Sequence, residues 1–286
     1  MTLVWSALGT GAVYALIALG YHLTLVAANV VNFAFANVLI FCAFVSLWVM
    51  NEHGWPFALA LVLCAAVGIA LSVIEERVAI RPLAGASTHS ELVTTVGAAT
   101  VITGLAVVLF GSDAKRVPIL QGNTFEILGG RMQLVDLVLV VVAVLLAVLV
   151  WLGFTRTRLG LASMARSENR EAAILRGIDV RGLSLGMFIV AGAIAGLLGP
   201  LIGAKTLASG AVPLVLAIKG FIALTLGGVG SHWGAIAGGL LIALGEVGTE
   251  YVLGVNFGNF AVFAIFVVVL LVRPNGLFGV SQGRTV

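Results

Sequence analysis

The sequence predicts an all-α polytopic membrane protein with eight or nine transmembrane helices, some of them broken or re-entrant. Of its 286 residues, 61% are hydrophobic and 9% are charged, whereas soluble chains are about half apolar and about a quarter charged. The first formally charged residue is Glu52, which leaves room before it for two crossings of about 20 residues each. The 36 glycines suit helices that pack closely in lipid. These observations exclude a soluble fold, a collagen-like repeat and a disordered chain.

The remaining spans follow from the positions of the charged residues. Six further uncharged runs are each near or above the spanning length: 54–74, 92–112, 137–155, 182–204, 220–245 and 251–272. Together with the two crossings before Glu52, they give eight spans. A shorter run at 206–230, interrupted by Pro213 and Lys219, is either a ninth span or a broken half-helix. We expect residues 1–286 to form a single transmembrane domain.

The orientation of the chain follows from its arginines. The loop 155–182 carries six arginines and three acids, a difference equal to the net charge of +3 for the whole protein. Because short loops rich in Lys and Arg stay in the cytoplasm, this loop is predicted to be cytoplasmic and the loop 113–131 external. With nine crossings, the N-terminus then lies outside and the C-terminus in the cytoplasm.

Within this cytoplasmic loop, the segment 167–177 has the pattern of a short helix. Ser167 is the predicted N-cap, Glu168 and Glu171 lie in the first turn, and Gly177 is the predicted C-cap. So short a helix is marginally stable alone in water. Either the ends of the membrane helices or another protein must pack on it. The alternative is a solvated connector whose arginines only set the topology.

The same segment carries a resemblance to known transporters. Its sequence from Glu171 to Gly177, EAAILRG, resembles the E-A-A-x-x-x-G loop of bacterial ABC importer permeases, which forms a coupling helix seated in a groove of the ATPase subunit. Other segments also resemble the permease family of branched-chain amino acid importers: Tyr14–Gly20, Asn32–Ala34, Glu76–Arg77 with Arg81–Leu83, and Gly227–Ser231 with Gly234–Ala235 and Gly238–Gly239.

The resemblance implies a permease subunit of an ATP-driven importer in the bacterial inner membrane, without enzymatic activity of its own. The implied partners are a second, paralogous permease subunit, two ATPase subunits, an extracytoplasmic solute-binding protein and the lipid bilayer, with no nucleic acid. This chain would hold no cofactor, and the ATPase subunits would bind ATP and Mg. The residues implied in coupling are Ser167, Glu168, Glu171, Ala172, Ala173, Leu175 and Gly177.

One departure from the family pattern leaves the solute open. Family members usually follow the Asn-Phe-Ala triplet with a polar residue, glycine and an acid, but this chain has Phe35, Ala36 and Asn37. Branched-chain or other amino acids are the expected solutes, and urea, short amides, small organic acids or sugars are alternatives. A secondary transporter driven by an ion gradient is a further alternative, for which Glu246 and Glu250 are the candidate ion relay.

Nucleotide chemistry is not expected in this chain. The segment 199–206 comes within one residue of a P-loop, but alanine replaces the second glycine and no strand precedes it. The four histidines and the two cysteines also lack metal-ligand spacing. The ATPase must therefore be a separate chain.

Polar residues at membrane depth usually face the interior of the helix bundle or a water-filled path. Asn29, Asn32 and Asn37 fall within an arc of about 140° if one helix carries them, and their amides then contact either solute or neighbouring helices. Lys219 and Glu246 lie beside the translocation path or neutralise each other, unless Glu246 snorkels at the outer interface. The predicted substrate path comprises Asn29, Asn32, Asn37, Thr94, Thr95, Lys219 and Glu246.

The remaining features concern hydrogen bonds and packing of the helices. The threonines at 94 and 95 can bond a solute, a neighbouring helix, or a carbonyl of their own helix. Glycines at 192, 196, 199 and 203 form a small-residue ridge that predicts a packing seam. Pro200 within this ridge is expected to break or kink its helix.

Overall fold

The computed structural model describes residues 1–83, 88–120, 122, 124–127 and 129–279. Its α-helices are α1 (Thr2–Ala28), α2 (Phe35–Glu52), α3 (Phe57–Glu75), α4 (Thr88–Phe110), α5 (Leu134–Arg156), α6 (Arg158–Glu168), α7 (Arg170–Leu175), α8 (Val180–Thr206), α9 (Val212–Gly227), α10 (His232–Leu253) and α11 (Gly258–Val272). Strands β1 (Thr124–Ile127) and β2 (Gly130–Gln133) form an antiparallel hairpin. The end of the chain, for which a cytoplasmic position is predicted, lies outside the described residues from 280 onward.

Eight helical segments of the described chain are long and apolar enough to cross a membrane. They are α1, α2, α3 with its continuation to Leu83, α4, α5, α8, α10 and the segment Val255–Val272. Their apolar residues form helices because a lipid-embedded backbone must satisfy its own hydrogen bonds. The prediction of an all-α polytopic membrane protein is therefore confirmed.

The predicted span at 220–245 is wrong, because two helices divide it. α9 ends at Gly227 and α10 begins at His232. Between them, Gly228 and Gly230 have φ values of +102° and +94°, which favour glycine and interrupt a helix. α9 has 16 residues and is about 24 Å long, shorter than the hydrocarbon core of about 30 Å.

The third span also extends further than the charged residues suggested. The uncharged run 54–74 predicts a span that stops before Glu75, but Glu75 is the last residue of α3 and only 4% exposed. A π-helical turn (Glu76–Ile80) and a 3₁₀ turn (Arg81–Leu83) continue the same segment. Two acids are thus buried at the end of a membrane helix.

The chain forms two compact units, and the single transmembrane domain stays a prediction. The first unit comprises residues 1–22, 122–150 and 218–286. In it α10 approaches its neighbours through glycine, because a Cβ at Gly239 would meet the backbone of Gly11 and Ala15 in α1.

The second unit comprises residues 23–121 and 151–217, and α2, α3 and α8 pack together in it. A side chain at Gly196 of α8 would collide with the Cys64 carbonyl of α3, so the predicted packing seam is confirmed. Pro200 does not break its helix, since α8 runs through it to Thr206, and the alternative prediction of a kink stays a prediction. The lost backbone hydrogen bond is tolerated where the helix is held by close packing.

Candidate functional site

The short helix of the loop is α7, and its N-cap is Asn169. The Asn169 Oδ1 atom accepts a hydrogen bond from the Ala172 amide at 2.9 Å, and the Asn169 backbone is extended. The prediction of Ser167 as N-cap is wrong, because Ser167 lies in the last turn of α6 and donates to the Met164 carbonyl at 2.7 Å. Glu168 therefore ends α6, and Glu171 alone supplies the acid in the first turn of α7.

The C-terminal end of α7 has the predicted glycine cap. Gly177 has φ +80°, its amide donates to the Ile174 carbonyl at 2.9 Å, and the Ile178 amide donates to the Ala173 carbonyl at 3.1 Å. This pair of hydrogen bonds is a Schellman motif. Asn169 and Gly177 thus fix both ends of a six-residue helix.

α7 contacts its own chain mainly through one small residue. Ala173 is 3% exposed, whereas Leu175 is 88% exposed. Ala172 and Ile174 are also exposed. The helix therefore presents an apolar face without cover from the described residues of this chain.

Arg166 joins this loop to the end of α1, a link that the sequence analysis missed. Its guanidinium donates to the carbonyls of Ala27 and Ala28, the latter at 2.9 Å. These carbonyls end a helix and lack intrahelical donors, so a cation there is favourable. Burial lowers the pKa of Arg166, the positive charge of Arg170 lowers it further, and Glu91 opposes the shift.

The three asparagines of the predicted path do not share a helix face, so that prediction is wrong. α1 ends at Ala28, and Asn29 is exposed with φ +57°. Asparagine tolerates this left-handed conformation better than most residues, so the chain breaks here before α2 begins. Asn32 lies in the break and Asn37 lies in α2.

Asn32 bonds a neighbouring helix. It is buried and its Nδ2 atom donates to Oε2 of Glu75 at 2.9 Å. Thr95 is also buried, and its hydroxyl donates to the Leu92 carbonyl of its own helix at 2.9 Å. Thr94 donates in the same way to the Ser90 carbonyl at 2.8 Å. Thr94 therefore bonds within its own helix, whereas the Thr95 hydroxyl also lies within hydrogen-bond distance, at 3.4 Å, of the Val31 carbonyl in the break after α1.

Asn37 lies in a pocket of about 380 Å³, which we call the α2–α4 pocket. Its Nδ2 atom donates to the Thr103 hydroxyl at 2.6 Å and to the Ala99 carbonyl at 2.9 Å. The wall is mostly apolar and consists of Phe33, Asn37, Val96, Ala99, Thr100, Thr103, Gly104, Gly210, Leu214 and Ala217. Small-molecule sites commonly combine an apolar wall with a few placed polar groups.

Lys219 and Glu246 form a buried ion pair in the first unit. The Lys219 Nζ atom lies 2.5 Å from Glu246 Oε1, and the Tyr14 hydroxyl donates to Glu246 Oε2 at 2.7 Å. Lys219 also lies 3.2 Å from the Tyr14 oxygen. Lys219 and Glu246 neutralise each other, and Tyr14 adds a hydrogen bond; each of the three is less than 10% exposed. Sequence analysis missed Tyr14 as the third member.

Comparison with known proteins supports a transport role for this architecture. The family model for the permease component of the branched-chain amino acid transport system matches residues 3–272. The high-affinity branched-chain amino acid transport system permease protein BraD of Pseudomonas aeruginosa is 28% identical over 95% of this chain and 93% of its own. LivH of Escherichia coli K12, a permease protein of the same kind of system, is 26% identical over 94% and 92%.

Two further matches are a relative from Methanocaldococcus jannaschii and a solved structure. A probable branched-chain amino acid transport permease protein LivH of Methanocaldococcus jannaschii is 29% identical over 93% of this chain and 88% of its own. A solved structure, PsaBC from Streptococcus pneumoniae in complex with Fab, is 12% identical with a TM-score of 0.49 and covers 96% of this chain and 93% of its own. Because the family model spans nearly the whole sequence, the chain belongs to the branched-chain amino acid transport permease family.

Proposed function

We propose that this chain is the permease subunit of an ATP-driven importer for a branched-chain or other small amino acid. The observation that carries the proposal is α7, a capped helix whose Leu175 is 88% exposed while Ala173 faces its own chain. An exposed apolar face on a helix of this kind is suited to contact with a protein partner. In the proposed complex the partner is one of two ATPase subunits, which bind ATP and Mg.

The proposed complex also contains a second, paralogous permease subunit and an external solute-binding protein. This chain would supply part of the path and no chemistry. Closure of the ATPase subunits would push α7, and the Arg166 contacts to Ala27 and Ala28 would carry that displacement to the end of α1. Two conformations exposing the path in turn to each side would complete the cycle.

The α2–α4 pocket supports a solute with an apolar side chain. Its volume of about 380 Å³ exceeds that of one small amino acid, and Asn37 supplies an amide in a mostly apolar wall. The alternative of a secondary transporter is less well supported, because Glu246 is already engaged by Lys219 and Tyr14. A relay carboxylate needs to exchange its cation freely.

Asn37→Leu tests the proposed path. We expect at least about a tenfold lower rate of ATP-driven leucine uptake, since the change removes the amide and leaves Thr103 and the Ala99 carbonyl without its hydrogen bonds. Uptake is measured in proteoliposomes containing both permeases, both ATPases and the binding protein. Ser46→Ala is the matched control, because Ser46 lies on the same helix and its hydroxyl bonds only the Ala43 carbonyl among the contacts described. Equal uptake by both variants would remove Asn37 from the path, and absent uptake by the wild type would refute an amino acid importer.

We further propose that the loop carrying α7 is cytoplasmic and that the N-terminus is external. Cysteines introduced at the exposed positions Ser167 and Ala114 report the orientation. An impermeant thiol reagent applied to intact cells is expected to label position 114 and to spare position 167. Cys42 and Cys64 are buried, so the parent chain serves as an unlabelled control. The reverse labelling pattern would invert the proposed threading.

A further inference from the structure

A second pocket lies beside α7, at the ends of α1, α3, α4 and α8, and we call it the coupling-loop cleft. Its volume is about 450 Å³, within the range of small-molecule sites. Four arginines and three acids contribute to the wall: Arg81, Arg166, Arg170, Arg181, Glu76, Glu91 and Asp179. A wall with both signs of charge favours a ligand that also carries both signs.

The arginines of the cleft are suited to bind an anionic group of a ligand. Arg166 donates to the carbonyls of Ala27 and Ala28, and the charge of Arg170 lies close enough to lower the pKa of Arg166. Neither Arg170 nor Arg181 forms an ion pair with a carboxylate among the described residues, although Glu91 lies near enough to Arg166 and Arg170 to interact with their charges. A carboxylate would neutralise these two guanidinium groups by charge-assisted hydrogen bonds.

Among the acids of the cleft, Glu76 is suited to bind a cationic hydrogen-bond donor of a ligand. Glu76 is 2% exposed, and its Oε2 atom accepts no hydrogen bond from the described residues. Arg81 forms an ion pair with this carboxylate, but its Nε atom, at 3.6 Å from Oε2, lies beyond hydrogen-bond distance. Buried carboxylate oxygens are nearly always paired with donors, so an ammonium group would fill this position. Asp179, by contrast, is already used, because its side chain caps α8.

The remaining wall is mostly aliphatic, formed by Ile80, Ile174, Ile178 and Val180 together with Ala28, and it also contains the polar Asn29 and Ser184. We propose that the coupling-loop cleft binds a free zwitterionic α-amino acid with a branched apolar side chain. Its carboxylate contacts Arg170 and Arg181, and its ammonium contacts Glu76. That this ligand is also the transported product rests on the proposed function.

Binding in this cleft has a consequence for transport. Arg170 and Ile174 belong to α7, whereas Glu76 and Ile80 belong to the turn that follows α3. A ligand between them therefore ties α7 to the membrane helices. Product that accumulates on the α7 side would slow the movement of α7 and inhibit the importer.

Equilibrium binding of radiolabelled leucine to the purified complex, without the binding protein, tests the site. We expect binding to the parent complex that is weakened at least about tenfold by the double change Glu76→Gln and Arg181→Gln, because each lost charge removes a charge-assisted contact. Arg158→Gln, which removes an exposed charge of the same loop outside the cleft, is expected to leave this binding unchanged. Two competitors separate the ligand classes: 4-methylpentanoate lacks the ammonium group and 3-methylbutylamine lacks the carboxylate. Both should compete at least about tenfold less well than leucine.

Three results would overturn the proposal. They are no binding at millimolar leucine, binding by the double variant equal to that of the parent complex, and competition by 4-methylpentanoate as strong as that by leucine. The third result would indicate an anion site. Co-purification of the ATPase subunits with the double variant shows that it is folded. A second measurement follows uptake with leucine present on the α7 side, which should slow the parent complex and not the double variant. If the complex transports no leucine, the proposed function fails, but the binding measurement still decides whether the cleft is an amino acid site.

Discussion

Ala173→Trp abolishes ATP-driven uptake and leaves the chain inserted in the membrane. Ala173 is 3% exposed and is the residue through which α7 packs on its own chain. An indole there overpacks the contact at a cost of typically about 1 to 3 kcal/mol, and α7 has only six residues with which to resist displacement. We therefore expect α7 to leave its position on its own chain and to lose its proposed docking to the ATPase subunit.

Gly177→Val should have the same result through the backbone. Gly177 has φ +80°, and a Cβ at this position would meet nothing within 4 Å. Any loss therefore comes from the left-handed conformation, which costs a residue with a side chain about 1 to 2 kcal/mol. Gly177→Asn is the matched variant, since asparagine is tolerated at this cap position, and it should retain most of the uptake.

Both results are measured by co-purification of the ATPase subunits and by uptake in proteoliposomes. Leu161→Trp is the control for a bulky aromatic residue in the same loop, because Leu161 lies on α6 and is 53% exposed. If Ala173→Trp and Gly177→Val keep the wild-type association and transport, the docking role of α7 is wrong. An ion-gradient mechanism would then become the better explanation.

The spans were predictable from composition, but their boundaries were not. Charged positions separate the apolar runs. The helix break at Gly228 and Gly230 has no charged residue, so it was not detected within the uncharged run 220–245. Asn29 ends α1 through its backbone conformation, and no charged residue or proline in the sequence predicts this helix end. The hairpin of β1 and β2 was likewise missed, because two four-residue strands give a weak alternating pattern beside the apolar helices.

The site was predicted in part, and the errors have local causes. The motif located α7 correctly, but Ser167 and Asn169 are both good N-caps, and α6 extends far enough to include the serine. Tyr14, Glu75 and Arg166 were missed because their partners are distant in sequence; Tyr14 and Glu246 are separated by 232 positions. Sequence spacing reveals neighbours on one helix and gives no information on such pairs.

Removing one member of the buried pair in the first unit should destabilise the protein strongly. Lys219 and Glu246 are 8% and 6% exposed, and breaking a buried ion pair by removing one partner typically costs about 3 to 5 kcal/mol. Lys219→Met leaves the Glu246 carboxylate with only the Tyr14 hydroxyl as donor among the described contacts. We therefore expect a lower thermal unfolding midpoint and less folded protein on size-exclusion chromatography.

The double change of Lys219 and Glu246 to methionine removes both charges, and such replacements are often neutral or stabilising. We expect it to restore the unfolding midpoint lost in either single variant. Tyr14→Phe, which removes one hydrogen bond to the charged carboxylate of Glu246, should cost about 1.5 to 3 kcal/mol. A double variant as unstable as the single ones would contradict mutual neutralisation. The uptake rate of the double variant also separates the two predicted roles of the pair, mutual neutralisation and a place in the solute path. A folded double variant that transports normally places the pair outside the path. A folded double variant that is inactive places the pair within it.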